Sequence, residues 1–187
     1  MRKLLICFII FGTSFGCSPK LTITDIENRI NRDYTAFNEG DVEYFVNNTP
    51  KKSLKKYGKE GYRKKLKKIY NEKSDYPLEF SEIGDLHVQD RKKCNSSYYY
   101  KVKYIVDKTK MTPYMDSTAL MLNYKDYGKQ NVSFNTNSKF LQIRQFMSKV
   151  LVFDKDRRWK LLGYEKYNIQ SLNDNYGIGF YECIQKK

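Results

Sequence analysis

The sequence predicts an α+β protein, with helices first and a run of antiparallel strands after them. Two observations carry that reading. Apolar residues recur at helical spacing up to about residue 73, and after Pro77 the pattern changes to alternation. A third is the polar turn Asp154-Lys155-Asp156-Arg157 between two apolar runs, which marks a late hairpin.

In chain order, Thr24 opens the first helix, and Glu27 three residues on completes a capping-box pattern. Ile26, Ile30, Tyr34 (or Asp33) and Phe37 give it one apolar face. Gly40 suits a left-handed cap, and Asp41 caps a short second helix carrying Val42, Phe45 and Val46. Pro50 opens a third segment, where Tyr62, Leu66, Ile69 and Tyr70 form the inner face and Lys59, Arg63, Lys64, Lys65, Lys67 and Lys68 the outer one. These helices span 24–73.

The predicted sheet spans 78–165. Leu78 and Phe80 alternate, Ile83-Gly84 interrupts, and Leu86 and Val88 resume. Tyr98, Tyr100, Val102, Tyr104 and Val106 form a clean period-two face. Ala119–Tyr124 is predicted as a strand, 126–138 as a loop, and Phe140–Phe153 as a long strand apolar on both faces. Trp159, Leu161 and Leu162 follow the hairpin, and 166–187 reads as an irregular tail.

The first seventeen residues form a unit of their own. Arg2 and Lys3 are followed by eight apolar residues, Leu4–Phe11, and by small residues leading to Cys17. That is the layout of an export signal, and the run is too short to span a bilayer as a helix. With Gly16 directly before Cys17, the segment resembles a bacterial lipoprotein signal ending in a lipobox, although Ser14 stands where that family usually has an aliphatic residue. An ordinary secretory signal or an uncleaved anchor are the other readings of the same residues. The resemblance implies that residues 1–16 are removed, that Cys17 is acylated with fatty chains such as palmitate, and that 17–23 serve as a tether. It places the protein on a membrane of the cell envelope. Ser18-Pro19-Lys20 carries no acidic cluster, which points to a periplasm-facing anchor.

Removing residues 1–16 from a chain of 187 leaves about 171, the size of a single domain, here 24–187. The formal charge of +14 would suit nucleic acid, but an exported, tethered domain does not meet it, so no nucleic-acid partner is expected. A basic surface suits anionic headgroups instead, and the cluster from Lys51 to Lys68 is the densest candidate. Of four cysteines, Cys7 lies in the leader and Cys17 is the acylation candidate. Cys94 and Cys183 remain, either as a disulfide joining the tail to the sheet or as two buried thiols. With one histidine and no CxxC, no metal site and no cofactor are expected.

The first helix ending in AFNEGDVEYF (36–45) and the late hairpin FDKDRRWKLLGY (153–164) together resemble the nuclear transport factor 2-like, or SnoaL-like, cone fold. The resemblance covers roughly 24–165. It implies helices over the concave face of a curved sheet, often with a pocket between them, and functions ranging from isomerases and dehydratases to binding and dimerisation modules. A fold of this kind names no reaction.

The weak catalytic candidates are Asp85 and His87, two apart on a strand and so on one face. Leu86 and Val88 take the opposite face, so His87 is expected to point to solvent. Tyr98, Tyr100 and Tyr104 are either a ligand wall or a core face, and Arg144 with Gln142 either meets a ligand carboxylate or an intramolecular ion pair. The leading expectation is a non-catalytic, lipid-anchored envelope module that binds an unknown small molecule or an envelope protein. A pocket enzyme of isomerase or dehydratase type, and a structural partner or homodimer using a sheet face, are the alternatives.

Overall fold

The computed structural model describes residues 19–75, 78–163 and 169–186. The leader, Cys17 and Ser18 therefore lie outside the described residues, as does Tyr164. What is described is an α+β architecture built on one curved, unclosed antiparallel sheet.

Three helices come first: α1 (Ile23–Glu39), α2 (Val42–Asn48) and α3 (Lys51–Asp75). The capping box that opens α1 sits two residues earlier than the sequence suggested. Thr22 accepts from the Asp25 amide at 3.1 Å, and Asp25 accepts from the Thr22 amide at 2.8 Å. Thr24 lies inside the helix, because the Thr22 pairing lets the helix take in Ile23 as well. At the far end Gly40 adopts φ 71°, and its amide closes on Ala36 and Phe37. Asp41 caps α2 by accepting from the Tyr44 amide at 2.9 Å. Helix α3 is broken at Gly58, whose φ of 67° is outside helical space. Ile69, expected on its inner face, is exposed.

The strands are β1 (Leu78–Phe80), β2 (Gly84–Val88), β3 (Lys92–Cys94), β4 (Ser97–Met111), β5 (Val132–Asn135), β6 (Phe140–Phe153) and β7 (Trp159–Gly163). β4 and β6 are the spine, paired from Tyr99↔Val152 to Met111↔Phe140. β1, β2 and β3 line the free edge of β4 in succession, while β5 and β7 line that of β6.

Three predictions for the second half fail. Ala119–Tyr124 is not a strand but part of helix α4 (Ser117–Tyr127), because Asp116 accepts from the Ala119 amide at 2.7 Å and starts a helix there. The apolar run is too short for its period to distinguish the two. The stretch 126–138, expected as a loop, contains a single 3-10 turn and β5. The tail is not irregular either: it forms α5 (Ile169–Tyr176) and α6 (Phe180–Gln185).

Side chains from the two sheet faces enter different cores. On the concave face Tyr100, Val102, Tyr104 and Val106 pack with Ile26 and Ile30 of α1, with Leu151 and with Trp159. On the outer face Tyr99, Val150 and Val152 pack beneath Leu172 and Tyr176 of α5 and Phe180 and Ile184 of α6. A disulfide between Cys94 and Cys183, with Cα atoms 6.2 Å apart, ties α6 to the end of β3. Further along, α4 covers Val132, Leu141 and Ile143.

Candidate functional site

Helix α1 lies along the concave face of the sheet. It begins against Tyr100, whose hydroxyl accepts from the Leu21 amide at 3.0 Å. It ends beside β1, where the Asn38 side chain donates to the Phe80 carbonyl at 2.7 Å and accepts from its amide at 2.9 Å. Between these attachments Ile26 and Ile30 pack into the concave core, and Asp33, Tyr34 and Phe37 border a cavity of about 320 Å³. That volume is at the lower end for small-molecule sites.

Its apolar wall comes from Phe37 of α1, Phe45 of α2, Phe80 of β1, Met147 of β6 and Leu161 of β7. Polar groups reach it from Asp33 and Tyr34 on α1, Tyr104 on β4, and Gln145 and Lys149 on β6. The alternation of β6 explains the last two. Gln145, Met147 and Lys149 continue the inward-facing series of Leu141 and Ile143, so they face the cavity where no helix covers them.

The hydrogen bonds among these groups are specific. The Tyr34 and Tyr104 hydroxyls lie 3.1 Å apart, with their rings edge to face. Asp33 accepts a short hydrogen bond from the Tyr44 hydroxyl and faces Arg29 one helical turn back at 3.5 Å. The guanidiniums of Arg29 and Arg32 lie 5.5 and 5.3 Å from the centre of the Tyr44 ring. Burial pushes the Asp33 carboxyl up, and Arg29 and the Tyr44 hydroxyl pull against it. Burial likewise raises the Tyr34 phenol, and raises Tyr44 with the help of Asp33. The cavity can therefore hold a molecule with an apolar body and offer its polar end both donors and an acidic group.

Of the candidate site residues named from the sequence, only Tyr104 lines this cavity. Tyr100 is core, and its hydroxyl holds the start of α1 rather than a ligand. Tyr98 is half-buried beneath the cations of Arg91 and Lys93, at 4.8 and 5.6 Å from its ring centre. Asp85 and His87 are exposed on the outer face, next to a break in the β2–β4 register, and take no part in the cavity. Arg144 is also on the outer face, where it donates to Asp107 of the facing strand at 3.1 Å. Gln142 beside it is exposed.

Sequence reasoning missed Asp33, Gln145 and Lys149 as site residues. The Arg29–Asp33 spacing, with an acid inside an apolar helical face, was the available signal for the first. Among the described residues no group of three metal-ligating side chains occurs, and no helix is long and apolar enough to cross a membrane. Comparison with protein-family models, with curated proteins and with solved structures gives no match for this chain.

Proposed function

We propose that this protein is a lipid-anchored module of the bacterial cell envelope that binds a small amphiphilic molecule without transforming it. The cavity under α1 carries that reading: five apolar side chains make its wall, and its polar groups gather on α1, β4 and β6. A binding role is favoured over catalysis because the polar groups have partners within the fold: Asp33 bonds Tyr44, and Tyr34 bonds Tyr104. The order of helices and strands, and a pocket on the concave face, agree with the nuclear transport factor 2-like cone. The lipobox-like end at Cys17 supports a periplasm-facing membrane anchor.

The test is a thermal-shift screen of small amphiphiles against the full chain and its Met147→Trp variant. A larger side chain at Met147 takes up space in the cavity that it lines. Compounds that raise Tm in the native protein should lose at least about tenfold in affinity in the variant, which corresponds to about 1.4 kcal/mol. Undiminished shifts in Met147→Trp would place binding elsewhere. Metabolic labelling with a fatty-acid analogue tests the anchor, and label persisting in Cys17→Ser would remove it.

One observation favours a second reading, a pocket enzyme of isomerase or dehydratase type. An acid raised by burial beside two phenols is a means of moving a proton. It would require turnover that Asp33→Asn abolishes while ligand affinity stays within a few fold.

A further inference from the structure

The end of the sheet that holds the β3–β4 and β6–β7 turns differs from the rest of the surface. Helix α1 starts here, at the Leu21–Tyr100 bond, and runs away from it towards Phe80. The chain therefore enters the fold at this end, and Leu21 is only four residues from Cys17. Four residues span at most about 14 Å. A domain anchored through Cys17 must keep this end close to the bilayer.

The same end presents an apolar side chain on a rigid support. The turn between α5 and α6 reads Gly177-Ile178-Gly179, with φ of 103° and 78° at its glycines. A side chain on Gly177 would stand 3.0 Å from the Asn95 amide nitrogen. That amide donates to the Tyr176 carbonyl at 3.1 Å, and the neighbouring Cys94 is bonded to Cys183. Two turns are thus locked together, and Ile178 between the glycines is 95% exposed. An isolated exposed isoleucine is unremarkable, but one fixed on a braced turn has a defined direction.

Cations surround it. Lys52 and Lys155 line a cleft of about 380 Å³ that Ile178 borders, and Arg157 and Arg158 are exposed on the β6–β7 turn. The local acids are largely engaged. Asp154 is buried and accepts from the Lys155 amide, and Asp156 holds the buried Lys160 at 2.8 Å. Asp174 is exposed, and its backbone carbonyl accepts from Lys52 at 2.6 Å. The later lysines of α3 belong elsewhere, because that helix runs on to Tyr70, which packs on Phe37 near the far end of α1.

We propose that this end is the membrane face of the protein. Ile178 enters the boundary of an anionic bilayer, and Lys52, Lys155, Arg157 and Arg158 meet phospholipid headgroups. The proposal rests on the anchor read at Cys17, which brings the bilayer to this end. Each cation close to an anionic surface strengthens binding by about fivefold, and a buried apolar side chain adds to it.

The experiment uses the full chain purified from its bacterial host and mixed with vesicles of brominated phosphatidylcholine, with or without phosphatidylglycerol. Trp159, the single native tryptophan, is buried and supplies the background. Ile178→Trp should be quenched well beyond wild type when phosphatidylglycerol is present. Leu122→Trp, an exposed position on α4, should show no extra quenching. Adding Lys155→Gln, Arg157→Gln and Arg158→Gln should remove most of the Ile178→Trp effect. Equal quenching at 122 and 178, or none at 178, overturns the proposal. Mass spectrometry of the same sample reads the acyl group separately. If Cys17 is unmodified, the anchor reading falls; quenching at 178 by the unacylated chain would then sustain the membrane face alone, and its absence would end both.

Discussion

The two faces of the sheet are finished in different ways. The outer face is clamped at one end by α5 and α6, where Tyr99, Val150, Val152, Phe180 and Ile184 make a dry cluster and a disulfide closes it. On the concave face α1 buries Ile26 and Ile30 and bonds Tyr100, Ile83, Tyr104 and Phe80, yet beside Asp33, Tyr34 and Phe37 it borders an open cavity. The two short helices bury the valines of β6 beneath them. The longer α1 buries Ile26 and Ile30, but towards its end polar side chains border an open cavity. The candidate site lies there, where packing against the sheet is incomplete.

The largest expected effect breaks the clamp. Cys94→Ala with Cys183→Ala opens a loop of 89 residues and should cost about 4 kcal/mol of stability, read by urea unfolding. A loss below about 1 kcal/mol would mean that apolar packing alone holds α5 and α6. Ligand binding in the concave cavity should survive the change at temperatures where the variant is folded, since the side chains that line the cavity are not those of the clamp cluster.

A smaller effect sharpens the other side of the comparison. Burial raises the Asp33 carboxyl above its unfolded value, so over that interval the native state binds more protons than the unfolded chain. Stability from this group is therefore present below the ordinary carboxylate range, and it falls as pH rises from there through the raised value. Asp33→Asn should flatten that part of the pH–stability curve while keeping an acceptor for the Tyr44 hydroxyl. An unchanged slope would show that Arg29 and Tyr44 fully offset the desolvation.

Much of the framework was legible because each piece is a local rule. Gly40 needs a left-handed conformation, Asp41 can cap, and the alternation from Tyr98 to Val106 turns one set of side chains inward. β6 was readable end to end since it is long and apolar on both faces. Segments whose state depends on distant contacts were not. The run Ala119–Tyr124 has no clear period, and only the cap at Asp116 and the surface of Leu141 and Ile143 make it helical. The tail becomes two helices because α5 and α6 cover valines from β6. The site was the least legible part. Tyr104 was singled out with its neighbours, but the cavity is assembled from side chains of α1, α2 and four strands, and no spacing in the sequence records that juxtaposition.

The smallest expected effect lies on the outer face beyond the clamp, where none of the described helices covers Phe146. Arg144 meets Asp107 across the β4–β6 ladder at 3.1 Å, with Phe146 next along the same face. The Asp107 carboxylate raises the Arg144 guanidinium through a hydrogen bond and its charge, yet the arginine side chain is 57% exposed. Water and salt screen an ion pair of this kind, and two side chains lose freedom in forming it. Arg144→Ala should leave Tm unchanged within the error of a melting scan, at low and at physiological salt alike. The matching change on the concave side, Tyr104→Phe, removes a buried hydroxyl from its bond with the half-buried Tyr34 and should lower Tm measurably. If Arg144→Ala proves the more damaging of the two, the bare end of the outer face is covered in the native protein, and the contrast between a finished and an unfinished face fails there.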